Sequence, residues 1–202
     1  MATGRGLEAG AVAALIHDKG LLLQTDPVAV SAVGLLGGGP VAGSWWARPD
    51  GKLIFAGLQL LEHDPDIALF KLLNRKVTFV HRRLWPDVAA AGLSDEPWRT
   101  AGLSRDEADI LTRVEQAGEL STREVPGKTK AVAALEGRLA LYSRQVHRAD
   151  GGHAKVLTSW PRWLALTGET ARPSAAEARR RIEAAIDGLY AGAGKAVAPP
   201  WR

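Results

Sequence analysis

The sequence contains no cysteine. Without thiols the chain can form neither a disulfide nor a thiolate zinc site, and a cysteine nucleophile is excluded. Long apolar runs are missing as well, because no stretch approaches the roughly 18 residues that a membrane-spanning helix needs. The first residues also lack the charged segment and apolar core that are typical of a signal peptide. These absences lead us to expect a cytoplasmic protein.

Motifs of common catalytic chemistry are equally scarce. The sequence has no His-Glu-x-x-His pattern, and no serine lies in the Gly-x-Ser-x-Gly context of a nucleophile elbow. The three glycines at 37–39 are followed by Pro40 rather than by the lysine of a phosphate-binding loop. We therefore expect neither a metal nor a cofactor.

One short segment could be catalytic. Gln24 and Asp26 are separated by one residue and lie directly before Pro27. An amide and a carboxylate at this spacing could position and activate a water molecule beside a departing base. Alternatively, Asp26 caps a helix that begins at Pro27, since aspartate favours the N-cap and proline the first helical turn.

Composition and charge favour an ordered, basic protein. The chain has 202 residues, of which 46% are hydrophobic, so it can form one large domain or two small ones. The net charge is +4, and basic segments at 66–85 and 121–160 alternate with acidic ones. Such basic segments are where a polyanion would bind. The alternative is an ordinary charged, solvated surface.

The fold class predicted from these patterns is mainly α, or α+β, in two domains. Residues 1–97 predict a mostly helical first domain, itself a candidate for a winged-helix-like unit, with a strand over 77–80. Helices are predicted over 7–19, 28–36, 52–62, 66–73 and from Trp85 to Gly92. In the helix over 52–62, Leu53, Phe55, Leu58 and Leu61 are available for burial. Acidic, turn-rich residues then mark a domain boundary near Pro97.

Residues 98–165 predict a winged-helix domain, a variant of the helix-turn-helix. Ser104 and Ser121 each open a capping box, and a third amphipathic helix follows over 131–139. A hairpin whose turn spans 149–152 comes next, with a return strand that runs to Trp160. Three helices followed by a hairpin is the order of a winged helix. Residues 166–202 predict a helix capped by Ser174 and then a tail that is loose unless it is docked.

The third helix of such a module enters the DNA major groove, and the hairpin reaches phosphates. The residues predicted to contact phosphates are Arg82, Arg83, Lys128, Lys130, Arg144, Arg148 and Lys155. Trp45 and Trp46 could wedge between bases or stack on one, although paired tryptophans also pack at the edge of a core. The third helix is rich in alanine, and winged helices also serve as protein-interaction modules. That alternative predicts an exposed apolar patch.

Several runs resemble known families. Residues 43–46 (GSWW), 76–85 (KVTFVHRRLW) and the closing 145–147 and 152–153 resemble a widespread bacterial protein family, and this resemblance implies no particular activity. Residues 134–163 are similar to a winged-helix unit of the bacterial alkylpurine and crosslink-repair DNA glycosylases. That resemblance implies a DNA-repair setting, with Gln24 and Asp26 as the match to a catalytic Gln-x-Asp motif.

Three functions follow from these patterns. The first is a DNA-binding protein of repair or regulation that uses the winged helix and the basic residues. The second is a glycosylase-like hydrolase in which Gln24 and Asp26 orient the attacking water and Trp45 or Trp46 helps to extrude the base. The third is a protein-interaction module.

Overall fold

A computed structural model describes residues 6–147, 153–191 and 197–202. Within these ranges the chain has a mixed α/β fold with two three-stranded antiparallel sheets. The helices are α1 Ala9–Lys19, α2 Ala32–Leu36, α3 Gly51–Glu62, α4 Trp85–Gly92, α5 Pro97–Thr100, α6 Arg105–Ala117, α7 Thr129–Gly137, α8 Trp160–Thr167 and α9 Ala175–Tyr190. The strands are β1 Leu21–Leu23, β2 Ile67–Leu73, β3 Lys76–His81, β4 Glu119–Ser121, β5 Tyr142–His147 and β6 His153–Thr158. Short 3-10 turns cover Trp45–Ala47, Arg82–Leu84 and Thr122–Glu124.

The two sheets have the same topology. In the first sheet β3 lies between β1 and β2, and in the second β6 lies between β4 and β5. Each sheet belongs to a segment of the chain with the same order of elements. A helix, a strand, a helical segment and a second helix are followed by a hairpin. We call residues 9–81 the first unit and residues 105–158 the second unit. The chain therefore repeats one arrangement of elements, a repeat that the sequence does not reveal.

The predicted helix over 66–73 is wrong, because Ile67–Leu73 is strand β2. The residues that follow explain the difference. Asn74 and Arg75 have φ angles of 50° and 57° and join β2 to β3, with Leu73 paired to Lys76. Two consecutive left-handed residues form the tight turn that a twisted hairpin requires. The strand predicted over 77–80 is confirmed as part of β3.

The local signals of the second unit are confirmed. Ser104 accepts a hydrogen bond from the Glu107 N–H at the start of α6, and Glu107 bonds back to the Ser104 N–H. Ser121 and Glu124 form the same box, but it opens only a 3-10 turn. The two predicted hairpin strands are present as β5 and β6, with Tyr142 paired to Thr158, and the turn predicted at 149–152 lies outside the described residues.

One predicted strand and one predicted helix need correction at their ends. The return strand ends at Thr158, and the residues from Trp160 onward form α8 because Ser159 adopts the extended N-cap conformation and Pro161 occupies the first turn. In the first unit α2 begins at Ala32 rather than after Pro27, because the Ser31 hydroxyl accepts the Gly34 N–H at 3.2 Å.

One hydrophobic core crosses the predicted boundary near Pro97. It joins Phe70 of β2 to Trp160 and Trp163 of α8 and to Ile182 and Ile186 of α9. The Phe70 and Trp163 rings meet edge to face, with centroids 5.7 Å apart. Parts of the chain on both sides of the boundary therefore share buried surface.

The tail is docked where it is described, at residues 197–202, which is the alternative that the sequence leaves open to a loose tail. Val197 is buried, and the Asn74 N–H donates to the Ala198 carbonyl at 2.8 Å. The Trp201 indole N–H donates to Glu183 of α9 at 2.7 Å. These contacts attach the tail to the turn of the β2–β3 hairpin and to α9.

Among residues 6–147, 153–191 and 197–202, no helix is both long and apolar enough to cross a membrane. The same ranges contain no group of three His, Asp or Glu side chains arranged to hold a metal ion.

Candidate nucleic-acid interface

Of helix α7, only the first turn is exposed. Thr129 and Lys130 are exposed, whereas Leu135, Glu136 and Gly137 are buried. The buried half packs against the first unit, because α7 contacts β2 and a Cβ on Gly137 would lie 3.1 Å from the Arg75 side chain. A ligand can therefore reach α7 from its N-terminal end, where a helix carries partial positive charge.

A cleft of about 400 Å³ separates α7 from the β5–β6 hairpin. Its walls carry Thr122, Thr129, Gln145 and Lys155, together with the buried carboxylate of Glu136. Hydroxyl, amide and ammonium groups thus lie on one face with the exposed turn of α7. Of these groups, the Thr122 and Thr129 hydroxyls are able to donate hydrogen bonds to phosphate oxygens.

Glu136 is the centre of a buried ionic cluster, although sequence patterns do not single it out. It is 4% exposed and accepts hydrogen bonds from the Lys155 ammonium of β6, at 2.6 Å, and from the Ser143 hydroxyl of β5. The Lys71 ammonium of β2 lies 2.5 Å from its other oxygen. Burial alone would raise the pKa of Glu136, but Lys155, Lys71 and Ser143 together hold the pKa below its usual value. The cluster therefore joins the two units through a carboxylate that stays ionised.

The predicted phosphate ligand Lys155 is consequently engaged inside the protein. Its side chain is 39% exposed, yet its ammonium bonds to Glu136. Freeing it for a phosphate would leave a buried carboxylate with one cation fewer. Lys155 is better described as part of the cluster than as a phosphate ligand.

The other predicted cations of the second unit lie nearer to solvent. Lys128 pairs with Asp106 at 2.5 Å, and Arg144 on β5 lies 3.5 Å from Glu119. All four of these side chains are at least 30% exposed, so a phosphate can compete with such weak pairs. Lys130 is exposed, with no ion pair to another described residue. Arg148 lies outside the described residues.

Arg82 and Arg83 are separate from this face. Arg82 pairs with Asp66 at 3.0 Å, and its guanidinium lies 5.9 Å from the centre of the Trp85 ring. Arg83 donates to the carbonyls of His17 and Asp18 at the C-terminal end of α1. Cations stabilise helix C-termini through these otherwise unpaired carbonyls. The position of Arg83 therefore indicates a structural role.

Gln24 and Asp26, the pair that could be catalytic, are held by hydrogen bonds within the first unit. Asp26 is 1% exposed, and one of its oxygens accepts the N–H groups of Val28 and Ala29 at 2.9 and 2.8 Å. The other accepts the Lys76 ammonium at 2.7 Å. Burial would raise the pKa of Asp26, yet these donors lower the pKa to about 2. The Gln24 backbone meanwhile bonds to Val77 and Val33. Asp26 therefore holds a turn over residues 26–29 and does not cap a helix at Pro27, since α2 begins at Ala32, and this geometry gives no support to a hydrolytic role.

We expect Asp26→Asn to lower the free energy of unfolding by about 2 kcal/mol, because it removes charge-assisted hydrogen bonds inside the first unit. The folded pKa is depressed, so the stabilisation is present above the ordinary value of 3.8 and is lost as the pH falls toward about 2. Urea unfolding at pH 7 and pH 2.5 measures both effects. An unchanged stability at pH 7 would contradict the structural role and reopen the catalytic one.

Trp45 and Trp46 differ in their surroundings. Their rings are stacked with centroids 4.2 Å apart, and Trp45 packs against the core beneath α3. Trp46 is 60% exposed and lies 4.9 Å from the Phe55 ring of α3. The packing alternative thus describes Trp45, whereas Trp46 belongs to an exposed surface.

That surface is the outer side of α3. Leu53 and Phe55, which the sequence offers for burial, are 77% and 37% exposed, and Leu60 is 66% exposed. The core side of α3 is formed instead by Ile54, Gly57, Leu58 and Leu61. We call Trp46, Leu53, Phe55, Ala56 and Leu60 the α3 face.

Comparisons of the chain with protein-family models, with curated proteins and with solved structures found no significant match.

Proposed function

We propose that this protein binds duplex DNA and that its second unit is a winged helix. The order α6, β4, 3-10 turn, α7, β5, β6 is that of a helix-turn-helix to which a hairpin has been added. In such modules the helix before the hairpin approaches the DNA. The observation that carries the proposal is the exposed first turn of α7, with Lys128 and Lys130, beside the hairpin that bears Arg144.

The same position in the first unit has different chemistry. There α3 precedes the β2–β3 hairpin, but its outer side carries Leu53, Phe55 and Leu60 beside a single lysine, Lys52. An apolar helix face gains nothing from a polyanionic phosphate backbone, whereas cations gain affinity by releasing counterions. We therefore assign DNA contact to the second unit alone.

The proposed contact is directed at the DNA backbone. Lys130 and the N-terminal end of α7 suit a phosphate, since the N-cap side chain makes no capping bond and helix N-termini favour anions. Beyond Lys130 the helix offers Ala133 and Ala134, which cannot hydrogen-bond to base edges. Because phosphate contacts position a protein without reading sequence, we propose binding with little sequence preference.

We expect labelled duplex DNA to bind the full chain in a fluorescence-anisotropy titration, with an affinity that falls steeply with salt. Each lost phosphate contact changes the slope of log K against log salt by about 0.9, so Lys130→Ala and Arg144→Ala should each flatten it by about that amount. Lys155→Ala should lower stability and leave the slope nearly unchanged.

The matched control is Arg180→Ala on α9, which removes an equally exposed cation far along the chain from the second unit. It should leave the slope unchanged. Absence of binding at low salt would refute the proposal, and an equal loss in Arg180→Ala would show a diffuse charge effect in place of a site.

A further inference from the structure

A cavity of about 390 Å³ lies between the two units. Strand β2 is at the edge of the first sheet and β5 is at the edge of the second, and both strands line the cavity. Helix α8 contributes Trp163 to a further side. Small-molecule sites typically have volumes of roughly 300–1,000 Å³ and often lie where structural units meet. The cavity is therefore large enough for a small organic ligand.

Apolar side chains, several of them aromatic, form most of the wall of this cavity. Phe70, Trp85 and Trp163 belong to the buried core, and Ala68 of β2 is half-buried beside them. The ring centroids of Phe70 and Tyr142 are 5.5 Å apart, and those of Trp85 and Trp163 are 5.6 Å apart. Aromatic rings favour further aromatic groups at such separations, through stacked or edge-to-face contacts. The wall thus suits the body of an aromatic ligand.

The hydroxyl of Tyr142 has no acceptor among the described residues. Largely buried tyrosines usually find one, as the Tyr190 hydroxyl does when it accepts the Leu23 N–H at 2.9 Å and donates to the Val30 carbonyl at 3.2 Å. Burial raises the pKa of Tyr142, so the hydroxyl keeps its proton at neutral pH. Because Tyr142 lines the cavity, that proton is available to a ligand.

Two further donors lie beside this hydroxyl. Burial is the main cause of the raised pKa of Tyr142, and the Arg144 guanidinium and the Trp163 indole N–H counteract it in part because they are close by. Trp163 is 3% exposed, so its N–H is shielded from bulk water. Arg144 is 48% exposed and makes only a weak pair with Glu119, at 3.5 Å. Three donors, one of them cationic, are thus placed to bind a single anionic group.

The charged side chains of the wall also favour an anion. They are Lys71, Arg144 and Lys155 against Glu62 and Glu136, so three cations and two carboxylates leave a net charge of +1. Glu136 already pairs with both lysines, and this cluster alone retains one positive charge. A ligand with one negative charge therefore complements the cavity.

We propose that the cavity binds a small aromatic carboxylate. The ring packs against the aromatic wall, and the carboxylate accepts hydrogen bonds from Tyr142, Trp163 and Arg144. A guanidinium suits this group because it can donate two parallel N–H bonds to a carboxylate. The proposal does not depend on DNA binding. Since Arg144 enters both proposals, the ligand is titrated in the absence of DNA.

Isothermal titration calorimetry of the full chain with cinnamate tests the proposal. We expect one site per chain with a dissociation constant in the submillimolar range, as suits a ligand of this size. Cinnamamide has the same ring and no charge, and it should bind about tenfold more weakly because the charge-assisted hydrogen bonds are lost. Octanoate has the charge and no ring, and it should also bind more weakly.

Three variants locate the site. Tyr142→Phe should weaken cinnamate binding about tenfold and leave the midpoint of thermal unfolding unchanged, because the hydroxyl has no acceptor inside the protein. Arg144→Gln should weaken it by a similar factor, whereas Arg180→Gln on α9 removes an equally exposed cation away from the cavity and should have no effect. Ala68→Leu should abolish binding, because the larger side chain fills space that the ligand needs.

A wild-type chain that does not bind cinnamate at millimolar concentration would overturn the proposal. Cinnamamide or octanoate binding as tightly as cinnamate would overturn it too, since the charge or the ring would then not be recognised. Binding that neither Tyr142→Phe nor Ala68→Leu weakens would place the ligand elsewhere. Thermal unfolding without ligand checks that each variant folds. Cinnamate should raise the midpoint of the wild type and leave that of Ala68→Leu unchanged, because only a bound ligand stabilises the fold.

Discussion

Glu136→Ala should lower the free energy of unfolding by about 3 kcal/mol, which is among the largest effects expected for a single polar substitution. Glu136 is 4% exposed and holds Lys71 of the first unit against Lys155 of the second. Without the carboxylate, two partly buried ammonium groups face each other where the units meet, with no counter-charge. Urea unfolding at pH 7 measures the loss. Asp109→Asn is the control, because Asp109 is 65% exposed and its pair with Arg113, itself 40% exposed, is weak.

The stabilisation that Glu136 provides should decrease as the pH falls. The cluster holds the folded pKa of Glu136 below its ordinary value of 4.5. A depressed carboxylate pKa contributes stability above the unfolded pKa and loses it as the pH falls through the folded one. The difference between the wild type and Glu136→Gln should therefore be full at pH 7 and shrink below the ordinary pKa of 4.5. A difference that is the same at pH 3 and pH 7 would contradict an ionised Glu136.

Gly92→Ala should cost about 3 kcal/mol, at the upper end of what overpacking a core costs. A Cβ at Gly92 of α4 would lie 2.2 Å from Cε2 of the Trp160 ring and 2.3 Å from its Nε1. Trp160 cannot easily move, because it is 1% exposed and its indole N–H donates to the Leu139 carbonyl at 2.7 Å. The new methyl group must therefore displace α4 from α8.

Gly188→Ala is the control, and it should raise the free energy of unfolding where Gly92→Ala lowers it. Gly188 lies inside α9, and a Cβ there would meet nothing within 4 Å. Gly188→Ala should raise the free energy of unfolding by about 0.5 kcal/mol or more, because alanine restricts the unfolded chain and favours the helix. Chemical unfolding of the two variants side by side compares them. If both gave the same change, the close contact between α4 and α8 would be refuted.

The sequence predicts those parts of the fold that local chemistry determines. The capping boxes at Ser104 and Ser174 place the starts of α6 and α9, because the bonds involved span only three residues. The β5–β6 hairpin follows from its flanking strand pattern in the same way. Strand β2 was predicted as a helix because its nearly continuous apolar run fits either structure, and only pairing with β3 decides between them.

The candidate sites depend on contacts between distant residues, which a single sequence does not contain. Lys71 and Glu136 are 65 positions apart along the chain, so nothing local links them. A count of basic residues cannot distinguish cations that are bonded within the protein from cations that are exposed. Lys155 bonds to Glu136 and Arg83 bonds to α1, but Lys130 is exposed. The α3 face was missed because α3 is apolar on both sides, and periodicity cannot tell which side a core will cover.

The central claim is that DNA contacts the exposed turn of α7 and the adjoining β5–β6 hairpin. Backbone amide NMR of the isotope-labelled chain, titrated with an unlabelled duplex at low salt, tests it most directly. We predict shifts concentrated at residues 128–134 and on the β5–β6 hairpin, reversed by added salt, with α3 and α9 unaffected. Shifts confined to α3 or α9, or no shifts at a saturating DNA concentration, would contradict the account.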